Sequence, residues 1–154
     1  MKREAILMTL AALLAVMFFY AACSKLIDMP LTRFQMHGQV FPKNLADVLA
    51  WLVPLTELMI TLSLLLSPTR LLGFYASLSL LLLFSIYIAI TMSGAFGKIP
   101  CSCGGVLGNL GYWTHLVFNL GFMFLAGLGI AIEQRWMMSG VSNRSKERRP
   151  VKIS

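Results

Sequence analysis

Cys101 and Cys103 stand one residue apart in the stretch GKIPCSCGGVLG, residues 97–108 of a 154-residue chain with three cysteines. A disulfide needs Cα atoms within about 4.4–6.8 Å, and residues two apart reach that only where the backbone bends. Pro100 before the pair and Gly104-Gly105 after it are bend-formers. The ring so closed is small and strained, and strained disulfides are the ones that exchange with other thiols. The same spacing also fits two unreacted thiols or an inert staple. Cys23, near the end of the first apolar run, has two readings as well: it resolves a mixed disulfide by attacking Cys101 or Cys103, or it is a small buried apolar residue.

Four further side chains could serve such chemistry. Glu57, in VPLTELMITL, lies inside an apolar run, where an ionisable group is costly and needs a partner. Pro54 withholds a backbone donor nearby, so the carbonyl it frees is a place for that partner. His115 and Asn119, four apart in YWTHLVFNLG, fall on one helix face close in sequence to the cysteine pair. An imidazolium beside a thiol favours the reactive thiolate; the alternative is a histidine at headgroup level next to Tyr112 and Trp113. Lys25 fits the same electrostatic role, or snorkels to the interface. Metal is the competing chemistry, since Cys-x-Cys with ten methionines and two histidines suits a soft ion such as Cu(I). The methionines are scattered along the apolar runs and no tetrahedral set is spaced for a metal, so no metal site is expected.

The elements that position these residues follow from composition. Hydrophobic residues make up 58% of the chain and charged ones 12%, more apolar surface than one small soluble core can hide. The surrounding solvent is therefore membrane lipid. Four runs, about 5–26, 45–66, 69–92 and 112–132, are long enough for helices crossing a hydrocarbon core, which takes about 20 residues. They are apolar all round, as helices touching both lipid and one another are. SPTR forms a tight turn between the second and third, with Pro68 at a helix start. The expected fold is an all-α integral membrane protein, an antiparallel four-helix bundle over residues 1–138. Gly127-x-x-x-Ala131 and Ser85-x-x-x-Ala89 fit small-residue helix packing. The stretch IDMPLTRFQMHGQVFPKN reads as a short amphipathic segment along the interface, capping one end of the bundle.

Charge orients the bundle. Lys2, Arg3, Arg70, Arg135 and five basic residues of the tail lie on one side; Lys25, Arg33, Lys43 and Lys98 lie on the other. The positive-inside rule then makes both termini cytoplasmic, in a bacterial inner membrane, with the cysteine pair facing the periplasm, where disulfides persist. Residues 139–154 read as a disordered basic cytoplasmic tail held near anionic headgroups. The net charge of +7 has no nucleic-acid recognition module beside it, so no nucleic-acid partner is expected. A rival for the N-terminus is a secretory signal ending in a lipid-modified Cys23, but bulky Tyr20 and the long apolar run favour a retained helix.

CSKLID at the end of the first run, RF in the loop after it and PLTEL in the second belong together. So do CSCGG before the fourth run and WTHLVFN opening it. This arrangement resembles the methylamine utilisation protein MauE family, within the DoxX-like group of four-helix membrane proteins, over roughly residues 8–130. Ser24, Lys25, Glu57, Cys101, Cys103, Gly105, Trp113 and Asn119 match its pattern. Gly104 departs from a common Phe, and Cys23 stands where relatives have a small residue without a thiol. The resemblance implies periplasmic maturation of a disulfide-containing enzyme of methylamine metabolism, together with a thioredoxin-like partner protein.

Residues and resemblance together lead to a membrane redox protein that exchanges thiols and disulfides with a periplasmic thioredoxin-like partner. The sequence assigns it no small-molecule reaction. A quinone is the cofactor such a protein could use, by analogy with other four-helix disulfide-generating membrane proteins, although no residue identifies a quinone site. The alternative is a small transporter or assembly factor with Glu57 and Asn119 lining a path; a structural subunit is a third class.

Overall fold

In the computed structural model, residues 2–39, 42–93 and 112–147 are described, with side chains described for 3–39, 42–93 and 113–135. The described chain is helical throughout. Helix α1 spans Lys2–Ile27, α2 Met29–His37, α3 Lys43–Leu65, α4 Arg70–Met92 and α5 Tyr112–Glu147, and a single 3-10 turn, Ser67–Thr69, joins α3 to α4. Four of these helices are long and apolar enough to cross a membrane: Arg3–Ile27, Lys43–Leu65, Ser67–Met92 and Trp113–Arg135. Leucine, isoleucine, valine and phenylalanine side chains stand exposed along all four, among them Val16, Leu55, Leu83 and Phe124. In water such a surface would drive aggregation; against acyl chains it is in its own solvent. The chain is an all-α membrane helical bundle.

The four long helices close into a ring. Helix α1 packs most extensively on α3 and α4 on α5, while α3–α4 and α1–α5 contacts complete the circuit and α1 barely meets α4 across the diagonal. Antiparallel pairing of α4 and α5 is fixed by register: Phe74 abuts Gly129, Tyr75 accepts from Gln134, and Ser85 Oγ reaches Met123 Sδ at 3.6 Å. The buried seam of α1, Leu7, Ala11, Leu14, Phe18, Ala22 and Lys25, advances by three or four residues, so it stays on one face. From Leu7 to Phe18 this seam forms one continuous core with Ile60, Leu64, Phe74, Leu81, Ala126 and Ile130.

Two glycines set the closest approaches. A Cβ on Gly73 would lie 2.8 Å from the backbone nitrogen of Leu64, so the α3–α4 hairpin is as tight as its backbones allow. Gly129 gives room to the ring of fully buried Phe74. Gly127, the glycine singled out by its small-residue spacing, has nothing within 4 Å of its would-be Cβ; the packing glycine of α5 lies two residues further on.

The expected interfacial segment is α2. Asp28 caps it, with Oδ1 accepting from Leu31 N at 3.0 Å, and Pro30 in the first turn needs no partner for a missing N–H. Thr32, buried on its inner side, donates from Oγ1 to the carbonyl of Lys25 at 3.0 Å, tying α2 to the end of α1. Phe34 on the outer side is 77% exposed. At the other terminus α5 runs on to Glu147, well beyond the span itself and into the stretch whose composition suggests an irregular tail. No proline interrupts residues 139–147, and the helix runs on through Gly140, Ser142 and Asn143 although all three are weak helix formers.

Candidate functional site

Lys25, on the last turn of α1, is 9% exposed. Its ammonium has three hydrogens to place, and three oxygens receive them: Glu57 Oε1 at 2.8 Å, Glu57 Oε2 at 3.0 Å and the carbonyl of Ala21 at 3.2 Å. Glu57, on α3, is 3% exposed, and its backbone carbonyl also accepts from Thr61 Oγ1 at 2.9 Å. The partner that an intramembrane carboxylate requires is therefore Lys25, on a neighbouring helix, rather than a group seated at the carbonyl freed by Pro54. Lys25 does not snorkel either. The lysine stem turns inward because the carboxylate meets it there; each ammonium hydrogen has an acceptor and each carboxylate oxygen a donor, which helps a buried ion pair to be tolerated.

This pair forms part of the wall of a cavity of about 470 Å³ to which all five helices contribute. Its lining is mostly apolar, as at Met17, Phe18, Leu49, Val53, Leu81 and Phe84. The polar side chains in it are few: besides Lys25 and Glu57 they are Thr32, Gln35, Gln39, Tyr87, His115 and Asn119. Tyr87 Oη donates to Gln39 Oε1, linking α4 to the chain just after α2. Asn119 is 5% exposed, and its buried Nδ2 has no hydrogen-bond partner among the described residues. A buried amide N–H left unpaired is costly, most of all at membrane depth.

The residues singled out from the sequence divide into three groups. Lys25, Glu57, His115 and Asn119 come together on the one cavity, and half-buried His115 lies within electrostatic reach of Lys25. Cys23 is half-buried two residues before Lys25 on α1 and has no disulfide partner among the described residues. Cys101 and Cys103 lie outside the described residues, between the end of α4 and the start of α5. Trp113 is 71% exposed on the first turn of α5, as an interface-anchoring side chain would be. Among the described residues no group of three or more histidine, cysteine, aspartate or glutamate side chains could hold a metal ion.

Thr32, Gln35, Gln39 and Tyr87, all in the cavity wall, escape a reading of the sequence. Thr32 looks like one polar residue of an amphipathic helix, and Gln39 and Tyr87 like a loop amide and an interfacial phenol; only the packing of α2 and α4 over the end of α1 makes them walls. Glu133 escapes it too: it is 6% exposed near the end of the fourth span, and its Oε2 lacks a hydrogen-bond partner among the described residues. Its signal was a carboxylate four residues beyond Gly129, on the same buried face of α5.

No curated protein and no solved structure matches the chain significantly. The family model described as "Methylamine utilisation protein MauE" matches residues 3–132, from the first turn of α1 to the end of the fourth span, and takes in every wall of the cavity. With a match over that much of its length, the chain belongs to the MauE family of methylamine utilisation-associated membrane proteins.

Proposed function

We propose that this MauE-family membrane protein is a thiol–disulfide partner at the periplasmic face of a bacterial inner membrane, exchanging with a thioredoxin-like protein during maturation of a disulfide-containing client. The observation that carries the reading is the Cys101-Ser-Cys103-Gly-Gly sequence in a chain of this family. Support comes from topology: this sequence joins Met92 of α4 to Tyr112 of α5, and the first turn of α5 carries His115 into the cavity wall. The Lys/Arg distribution, nine on the side of the termini against four on the other, supports cytoplasmic termini.

The exchange balances in either direction. When the partner is oxidised, its thiolate attacks one sulfur of the Cys101–Cys103 disulfide and forms a mixed disulfide. Its second thiol then displaces that bond. The partner leaves with a new disulfide, and Cys101 and Cys103 keep the two electrons and two protons as a dithiol. Cys23, half-buried near the end of α1, is in this reading an alternative resolving thiol.

Alkylation-shift trapping in cells tests this. The 101/103 pair switches between two labelling states in the wild type, and Cys101→Ser or Cys103→Ser abolishes the switch. If the client's disulfides form at the normal rate in the double serine variant, the reading fails. A second reading, a small transporter or assembly factor, is favoured by one observation: buried Glu57 and Asn119 line a common cavity. In that case Glu57→Gln stops transport or assembly with the thiol switch intact.

A further inference from the structure

The cavity is long rather than round. Leu45, Leu49, Val53 and Glu57 line it at every fourth residue of α3, so it follows one face of that helix for about 18 Å, from just inside its start down to the ion pair. Spread over that length, a volume of about 470 Å³ has a mean cross-section of about 26 Å², the girth of one hydrocarbon chain rather than of a substituted ring. Two lining residues, Leu45 and Leu83, are 43% and 65% exposed, so the cavity's edge reaches the surface that faces lipid.

What fills such a space follows from its walls. Left empty, they lose the dispersion contacts on which a membrane bundle depends. A buried water needs about two to four polar partners, and the groups that could serve have bonded to one another. Lys25 holds both carboxylate oxygens of Glu57, Thr32 donates to the carbonyl of Lys25, and Tyr87 donates to Gln39. The unpaired Nδ2 of Asn119 is shut off from the space and asks nothing of a guest. Hydrocarbon remains, and hydrocarbon is the solvent at the cavity's edge. Gln35, late in α2, and His115, in the first turn of α5, keep some polarity at the outer end, where the ester groups of a lipid lie.

We infer that the cavity holds one acyl chain of a membrane phospholipid, threaded past Leu45 along α3 with its tip towards the Lys25–Glu57 pair. The headgroup stays at the membrane surface beside Lys43 and Asn44, the exposed first residues of α3. Flexible Met17 and Met36 in the wall fit a chain that bends. A free fatty acid fits less well, since it brings a carboxylate to a wall whose ammonium is already neutralised. The bound chain supplies the packing that the outer half of the bundle lacks and keeps water from the ion pair, which strengthens the pair. The site goes beyond the thiol reading and does not depend on it.

The test places the full chain in nanodiscs of phosphatidylcholine with a diazirine in one acyl chain, and maps the adducts by mass spectrometry after irradiation. Two faces of α3 are compared. Leu52 and Leu55, 53% and 51% exposed, face lipid and take adducts in any case. Leu49 and Val53, in the cavity wall, take them as strongly only if a chain enters. Adducts confined to Leu52, Leu55 and other lipid-facing residues of the wild type overturn the inference, with no variant needed. Val53→Trp fills the space from one wall; adducts at Leu49 and Phe84 should then fall roughly tenfold while those at Leu52 and Leu55 persist, which also reports that the variant is folded. Inner adducts that survive this change overturn the inference as well. A water-soluble diazirine should leave Leu49 and Val53 unlabelled, and equal labelling by it replaces the acyl site with an aqueous path. Excess oleate should leave the inner adducts in place; if it removes them and spares the outer ones, the occupant is a free fatty acid and the phospholipid assignment falls.

Discussion

The two halves of this bundle solve opposite problems with the same four helices. Towards the N-terminus of α1 the interior is closely packed and apolar: Leu7, Leu14, Leu64 and Phe74 are each about fully buried, and Gly73 and Gly129 let neighbours approach to contact. Towards its C-terminus, α1 ends at an ion pair and an open volume, roofed by a short helix that carries Thr32 inward. In lipid the hydrophobic effect gives helices little reason to associate, so the first half coheres by close packing and small residues. The second half forgoes part of that packing and coheres through the Lys25–Glu57 bond and the α2 tether. A cavity is affordable where a bond across the helices replaces the contacts it removes.

The largest effect should come from breaking that bond on one side only. Lys25→Met or Glu57→Leu leaves a single buried charge, and losing one partner of such a pair costs about 3–5 kcal/mol. Thermal unfolding in detergent micelles should show a large drop in midpoint for each. The double variant Lys25→Met/Glu57→Leu should recover most of the loss, since two well-packed apolar side chains often replace an ion pair at little cost. Additive losses in the double variant would mean that the two side chains stabilise the protein separately, and the contrast between the halves would lose its basis.

Adding volume should separate the halves in the opposite sense. Gly73→Ala places a methyl 2.8 Å from a backbone atom of α3, which cannot rotate away, so the hairpin must part at a cost of about 1–3 kcal/mol. Ala21→Val adds methyls to a wall of the cavity, where room exists, and its unfolding midpoint should stay within the scatter of the wild type. Equal losses from the two would show that the cavity is closed under native conditions.

How much of this was legible beforehand differs between the halves in the same way. Four spans, their order and the tight SPT turn followed from apolar run length and one proline, because the thickness of lipid fixes helix length whatever the packing. The packing face did not follow. Each run is apolar all round, so nothing in the pattern distinguishes buried Leu14 from its exposed neighbour Leu13, and nothing points to Gly129 over Gly127. Intramembrane polarity was the better guide. Glu57, Asn119, His115 and Lys25 were marked out because such residues are expensive in hydrocarbon, and the four share one cavity. Their pairing was hidden, because residues 32 positions apart meet only through the way α1 lies against α3. The end of α5 was hidden for a different reason: composition reports solvation, and a polar, charged segment such as 139–147 can be well solvated and still helical.

The smallest effect belongs to the second ion pair at the same end of the molecule. His37 Nε2 meets Asp47 Oδ1 at 3.0 Å, joining the last turn of α2 to the first part of α3, a distance close to those of the buried pair. The side chains, however, are 37% and 46% exposed, against 10% and 3% for Lys25 and Glu57. Water and salt screen the outer pair, and holding two side chains in one geometry costs entropy, so exposed pairs of this kind contribute about 0–1 kcal/mol. Asp47→Asn keeps a hydrogen-bond acceptor for the imidazole and removes only the charge. Its unfolding midpoint should therefore shift by no more than a small fraction of the shift in Glu57→Leu, and the difference from wild type should shrink further in high salt. A shift as large as that of the buried pair would mean that α2 is held in place by charge on α3 rather than by the bond of Thr32 to α1, and that the outer end of the bundle owes its stability to the surface and not to what lies beneath it.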